Sequence, residues 1–291
     1  MRPHHEMTPP GTSDAVTCTS MGRRLALLIA GIVALSATGA LGDFRDDRRI
    51  MTAVDQDPLV CAQGVVEIRA PAGSLTAAQI DEFAALAEKG ASDIAEFTGV
   101  DLPKQRIVIY LAPGVEMSHT YTGSSRHQPR VFIDSNRVPD QTAPYLHELV
   151  HAVVGDGGAM WLEEGFAEWV ASSVATKYGG YYAPVMTAAN DRIDAQARMM
   201  IARSRGAGET RTWFGMDEPQ LSSQHERRTF YILAHSFTKF LAATLGTTRL
   251  VSIHRADDVH ALARVSGVSN EEWERRWLAE LGNGEAIALG R

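Results

Sequence analysis

Cysteine is nearly absent from this chain, with two in 291 residues, Cys18 and Cys61. That scarcity excludes a disulfide framework and a cysteine-built metal ribbon. A long apolar run separates the two, so they are not expected to pair within one mature domain, and Cys61 reads as a small buried hydrophobe. A basic excess is also missing. Lys+Arg 28 against Asp+Glu 35 leaves a formal net charge of -7 and an isoelectric point near 5.8, which provides no electrostatic footprint for nucleic acid. No internal repeat and no block of like charge marks off a separate module.

Long apolar runs are missing too, with one exception. Arg23 and Arg24 precede Leu25 to Leu41, LALLIAGIVALSATGAL, a stretch without charge, and Asp43 to Arg49 is dense in charge. The run is intermediate in length between a secretory core and a full membrane span, and Ala40-Leu41-Gly42 offers a small-x-small cleavage site. Residues 25–42 therefore predict export, as a cleaved signal or a retained anchor at the outer face of the cell membrane, with membrane contact confined to them. Residues 1–20 are polar, rich in Pro and Thr, and expected to be disordered. Within residues 1–24, Met21 is an alternative start, and His4 and His5 are solvated tail residues.

What is present is ample core material, 45% hydrophobic residues with 22% charged. Residues 43–291 are expected to form one unit with an N-terminal part (43–155) and a helical lobe (156–291). LVCAQGVVEIRA, Leu59 to Ala70, reads as a strand or hairpin, and Ser74 or Thr76 caps a helix from about Ala77 to Phe97 that Gly90 weakens. Arg106 to Leu111 and Arg130 to Ile133 read as buried strands. The polar loop between them carries His119, Tyr121, Gly123 and His127, whose histidines read as solvated. Helices are predicted from about Trp161 to Tyr178, Ala183 to Arg203 and Arg227 to Gly246. Met199 and Met200 are read as core filling. Two further helices end in NEEWERRWLAEL, where Trp273 and Trp277 clamp the end of the domain.

The chemistry concentrates in YLHELVHAVVGDGGAMWLEEGFAEWV, Tyr145 to Val170. On a helix His147 and His151, four apart, project from one face with imidazoles near enough to share a zinc ion, while Glu148 points toward the same cavity. Gly155, Gly157 and Gly158 break the helix before the next begins. A catalytic zinc needs a third protein ligand and an open position, and Glu164 is the best-placed carboxylate. Glu168, on the same face, can orient a ligand histidine from behind. Glu163 is rotated away and read as solvated.

HELVH followed by WLEEGFAEW resembles the gluzincin metallopeptidases, the group containing thermolysin and the aminopeptidase N-type enzymes. The connection of twelve residues between His151 and Glu164 is shorter than theirs and resembles compact bacterial peptidase-MA-like domains. The resemblance implies zinc ligation by His147, His151 and Glu164, with Glu148 as general base. It also implies an edge strand bordering the cleft and pairing with extended substrate, here Val131, Phe132, Ile133 and Asp134. RRTFYILAHSFTKFLAATLG resembles the helix that carries an oxyanion-stabilising tyrosine in the aminopeptidase N type; Tyr231 matches it, and His235 is a second possible donor one turn on.

Together these readings predict an α+β gluzincin-like fold: a small N-terminal mixed sheet with a covering helix, the zinc helix pair and a mainly helical C-terminal lobe. The expected activity is zinc-dependent hydrolysis of a peptide or protein substrate, with one zinc per chain. No segment resembling the amine-holding GxMEN element of aminopeptidases occurs, which favours endopeptidase action. An aminopeptidase, and a catalytically silent zinc-binding interaction module of the same fold, are the alternatives.

Overall fold

The computed structural model describes residues 17–19, 44–122, 128–179, 189–206, 223–256 and 258–288. It is α+β with a six-stranded mixed sheet. The strands are β1 (Thr17–Thr19), β2 (Pro58–Gln63), β3 (Val66–Pro71), β4 (Ile107–Ala112), β5 (His119–Tyr121) and β6 (Arg130–Asp134). Their spatial order is β1-β2-β3-β4-β6-β5. β2 and β3 form an antiparallel hairpin, β3-β4 and β4-β6 are parallel, and β5 returns antiparallel on β6.

The helices are α1 (Phe44–Asp55), α2 (Ala77–Thr98), α3 (Tyr145–Val154), α4 (Met160–Tyr178), α5 (Ala189–Gly206), α6 (Gln224–Leu245), α7 (Thr247–His254), α8 (Ala261–Ser266) and α9 (Asn270–Ala288). α2 makes the crossover between parallel β3 and β4. It starts at a capping box in which Thr76 and Gln79 satisfy each other's end of the helix, and it stops at Gly99 in the left-handed conformation, φ 70°.

β4 reads as an unbroken apolar run because both of its faces are covered. Ile107, Ile109 and Leu111 turn to the main core with α2, α3 and α4, while Val108, Tyr110 and Ala112 turn to a second cluster with Val54, Ile50 and Met51 of α1. α1 falls where the sequence offers dense charge, and it was not anticipated. Its Asp55 receives Arg69 at 2.9 Å and its Asp47 meets His119 at 2.7 Å, so the charges serve to tie it down while three apolar residues face the sheet.

Three expectations are corrected. Of residues 1–20, expected to be disordered, Thr17–Thr19 form a strand on β2, with the backbone of Cys18 in register with Cys61; the remainder of 1–20 lies outside the described residues. The membrane anchor is overturned. Among the described residues no helix is long and apolar enough to cross a membrane, and residues 25–42 lie outside them. β1 before the run joins the sheet by pairing with β2, and α1 after it packs on the same sheet. A membrane crossing would instead set the two flanks on opposite sides of a bilayer. Third, β6 is not an edge strand. It lies between β4 and β5, and the edge is β5.

In the helical lobe Trp277 is buried against Phe237 and donates to Ser236 Oγ at 3.1 Å, and Trp273 donates to Ser266 Oγ at 2.9 Å. Met200 is buried, but Met199, read as core, is 44% exposed because it lies on the outer face of α5.

Candidate metal centre

Two close helix crossings build the site. A Cβ on Gly90 of α2 would lie 2.9 Å from Leu146 Cδ2 and 3.2 Å from Leu149 Cδ1, so the missing side chain lets α3 press against α2. Gly90 weakens α2 locally and permits this approach. A Cβ on Gly165 of α4 would lie 2.5 Å from the carbonyl oxygen of Ala234 and 2.5 Å from Thr238 Oγ1. That glycine, next to Glu164, brings α6 with Tyr231 against the site.

Between α3 and α4 three donor atoms converge. His147 Nε2 is 3.2 Å from Glu164 Oε2, His151 Nε2 is 3.3 Å from His147 Nε2, and His151 Nε2 is 3.9 Å from Glu164 Oε2. Atoms on a tetrahedral zinc shell with bonds of roughly 2.0–2.1 Å stand about 3.3 Å apart. Two imidazole nitrogens facing each other with a carboxylate beside them call for a shared proton or a cation. The residues therefore fit a divalent metal of the zinc type, and these three form a group able to hold one.

Glu168 Oε1 stands 3.3 Å from His147 Nδ1, within ion-pair distance but outside good hydrogen-bond geometry. Burial works against a charge on His147, yet the carboxylates of Glu164 and Glu168 outweigh it and raise its pKa well above the usual value. For His151 burial dominates and lowers the pKa. Glu164, despite burial, is brought down to about 2 by His147 and His151. The pair Glu164 and His147 thus carries charge in the metal-free protein, and a metal would replace the proton on Nε2.

Glu148 is buried one residue after His147. Thr120 of the edge strand β5 holds it, with Oγ1 2.8 Å from Glu148 Oε2 and 3.0 Å from its main-chain oxygen, so one hydroxyl proton is shared between them. Tyr231 stands beside the Glu164 carboxylate and interacts with it electrostatically, with its ring 6.2 Å from that of His147. Burial, reinforced by the nearby carboxylates, pushes its pKa up, so the phenol keeps its proton and acts as a donor.

His235 lies deeper. Its Nε2 is 3.1 Å from Ser172 Oγ, and burial lowers its pKa to about 4, so the ring is neutral. Val131 and Ile133 of β6 are turned into the main core and Phe132 into the α1 cluster, and on the β5 side Val131 and Phe132 are already paired with Thr120 and His119. His119 is held by Asp47 and stacked on Phe132 at 4.9 Å, and it is not among the atoms that converge as a metal-binding group, while His127 lies outside the described residues.

Three site residues were missed by the sequence reading. Thr120 gives no signal in a strand of three residues, too short for any alternation to register. Glu163, read as solvated, is half-buried and has Oε1 3.7 Å from His151 Nδ1. Asp156 joins His151 and Glu163 in a second group of potential metal-binding atoms and accepts from Thr122 Oγ1. Its place in a Gly-rich turn gave no hint of this.

No family model matches the chain, and no curated protein matches it. Among solved structures, native yeast LTA4 hydrolase is similar at 12% sequence identity and a TM-score of 0.47, over 75% of this chain and 39% of that one. The chain thus spans about two fifths of that protein's length. A likeness of that degree carries no argument about chemistry.

Proposed function

We propose that the protein is a zinc metallopeptidase that cuts inside peptide chains. The observation that carries this reading is the convergence of His147 Nε2, His151 Nε2 and Glu164 Oε2 beside a buried, tethered Glu148. A purely structural metal site would be closed by a fourth protein ligand and would have no use for a carboxylate base. The three residues are those to which the resemblance to gluzincins assigns the ligand role.

In this reading His147, His151 and Glu164 hold zinc, which when bound supplies a Lewis acid that polarises the peptide carbonyl and acidifies water. Glu148 takes the proton of the attacking water and hands it to the leaving amine. The Tyr231 hydroxyl donates to the carbonyl oxygen as charge grows on it. Glu168 orients the His147 ring from behind. The absence of a GxMEN-like segment supports endopeptidase over aminopeptidase action.

The test uses the whole chain, zinc-loaded, as wild type and as Glu148→Gln, incubated with a mixed peptide pool whose new termini are read by mass spectrometry. Internal cuts by the wild type, reduced at least about 100-fold in the variant, are expected. Stepwise loss of N-terminal residues would replace the endopeptidase reading with an aminopeptidase one. A zinc-bound wild type that leaves every peptide intact would reject the peptidase reading.

A further inference from the structure

A cavity of about 210 Å³ opens beside the metal centre, lined by Glu168, Ile193, Gln196, Arg228, Tyr231, Ile232 and His235. Arg228, Tyr231, Ile232 and His235 recur at helical spacing and form one face of α6. Ile193 and Gln196 face them from α5, and Glu168 closes the side toward the metal triad. The space is contiguous with the site through the two residues they share, Tyr231 and Glu168.

The chemistry of the lining is uneven. Ile193 and Ile232 are buried apolar walls, suited to a short methylene stem. Glu168 is committed to His147 at 3.3 Å, whereas Arg228 is exposed and has no ion pair among the described residues. Gln196 adds an amide on the facing helix. A guanidinium with no ion pair among the described residues, set beside two apolar walls, matches a carboxylate carried on a short apolar stem, because its planar fork binds that group through two parallel hydrogen bonds.

We propose that this cavity is a substrate subsite that accepts a carboxylate on a short aliphatic stem next to the cleaved bond. The inference rests on the peptidase reading. Two sources share that chemistry, the side chain of a glutamate in the substrate and the substrate's own terminal carboxylate.

The experiment compares full-length wild type with Arg228→Gln, Arg228→Lys and Arg228→Glu on a randomised peptide pool, scoring the residues that flank every cut. The expected result is enrichment of Glu near the cut, falling about tenfold relative to Leu in Arg228→Gln, partly kept in Arg228→Lys and turned toward Lys in Arg228→Glu. Enrichment of cuts at a fixed distance from the C-terminus, abolished by amidating the peptides, would identify the terminal carboxylate as the source. Identical cleavage patterns in all four proteins would overturn the proposal while leaving the peptidase reading intact.

If the wild type cuts nothing, the peptidase reading falls, and binding decides the subsite. Acetyl-Ala-Glu-Ala-amide, acetyl-Ala-Lys-Ala-amide and acetyl-Ala-Ala-Ala are titrated into wild type and Arg228→Gln. Tighter binding of the Glu peptide or of the free-carboxylate peptide, lost in the variant, supports the subsite, and equal affinities for all three reject it.

Discussion

A carboxylate that must collect a proton from water and then release it works best when its orientation is fixed, and in Glu148 one oxygen is held. Thr120 Oγ1 holds Oε2 at 2.8 Å from a strand that lies 28 residues earlier in the chain. Thr120→Val keeps the shape and removes the hydroxyl, so turnover is expected to fall about tenfold while KM changes little, and Thr120→Ser should recover most of it. A hydroxyl that served stability alone would lower the melting midpoint and leave the turnover of the folded fraction unchanged. His147, His151 and Glu164 were legible in the sequence because their separations are fixed by helical geometry. Thr120 and Glu163 were not, since their roles depend on where a separate strand and a tight turn place them.

At the scale of elements, the site depends on how closely α6 lies on α4, and Gly165 sets that distance. A methyl group there would meet the Ala234 carbonyl oxygen at 2.5 Å, a backbone atom that cannot swing aside. Gly165→Ala is therefore expected to cost about 2–3 kcal/mol of stability, read by denaturant unfolding, and to weaken activity by moving Tyr231 away from Glu164. Helices α2, α3, α4 and α6 were readable from periodicity and stop signals to within a few residues. The intimacy of their crossings was not, because a glycine in a helical pattern looks like a defect until the neighbour it admits is known. α1 escaped for a related reason: its apolar residues face a sheet surface that no local pattern announces.

Across the whole molecule, the sheet is covered on both faces, and the edge strand that carries Thr120 is itself tied to α1 through His119 and Asp47 at 2.7 Å. Burial lowers the His119 pKa, but Asp47 and the Met117 carbonyl overcome it and leave the value raised. A group whose folded pKa is raised contributes stability that is complete below its unfolded pKa, about 6.5, and is lost as pH climbs through the folded value. Asp47→Asn is accordingly expected to destabilise the protein by about 1 kcal/mol near pH 5.5 and by clearly less near pH 9, measured by urea unfolding at the two pH values. An equal cost at both would show that the pair's charge contributes nothing. By itself the sequence determined the α+β class, the order of most helices and strands, and the one helix face that carries both histidines, because these follow from local periodicity and from spacing along the chain. Only the tertiary structure decided that β5 and not β6 lies at the sheet edge, that α1 straps the far face, and that Glu163 backs His151. It also decided that a cavity lined in part by Arg228 opens beside the site. Those features come from contacts between segments far apart in the chain, whose free energy is set by shape and burial in three dimensions and leaves no repeat in the sequence.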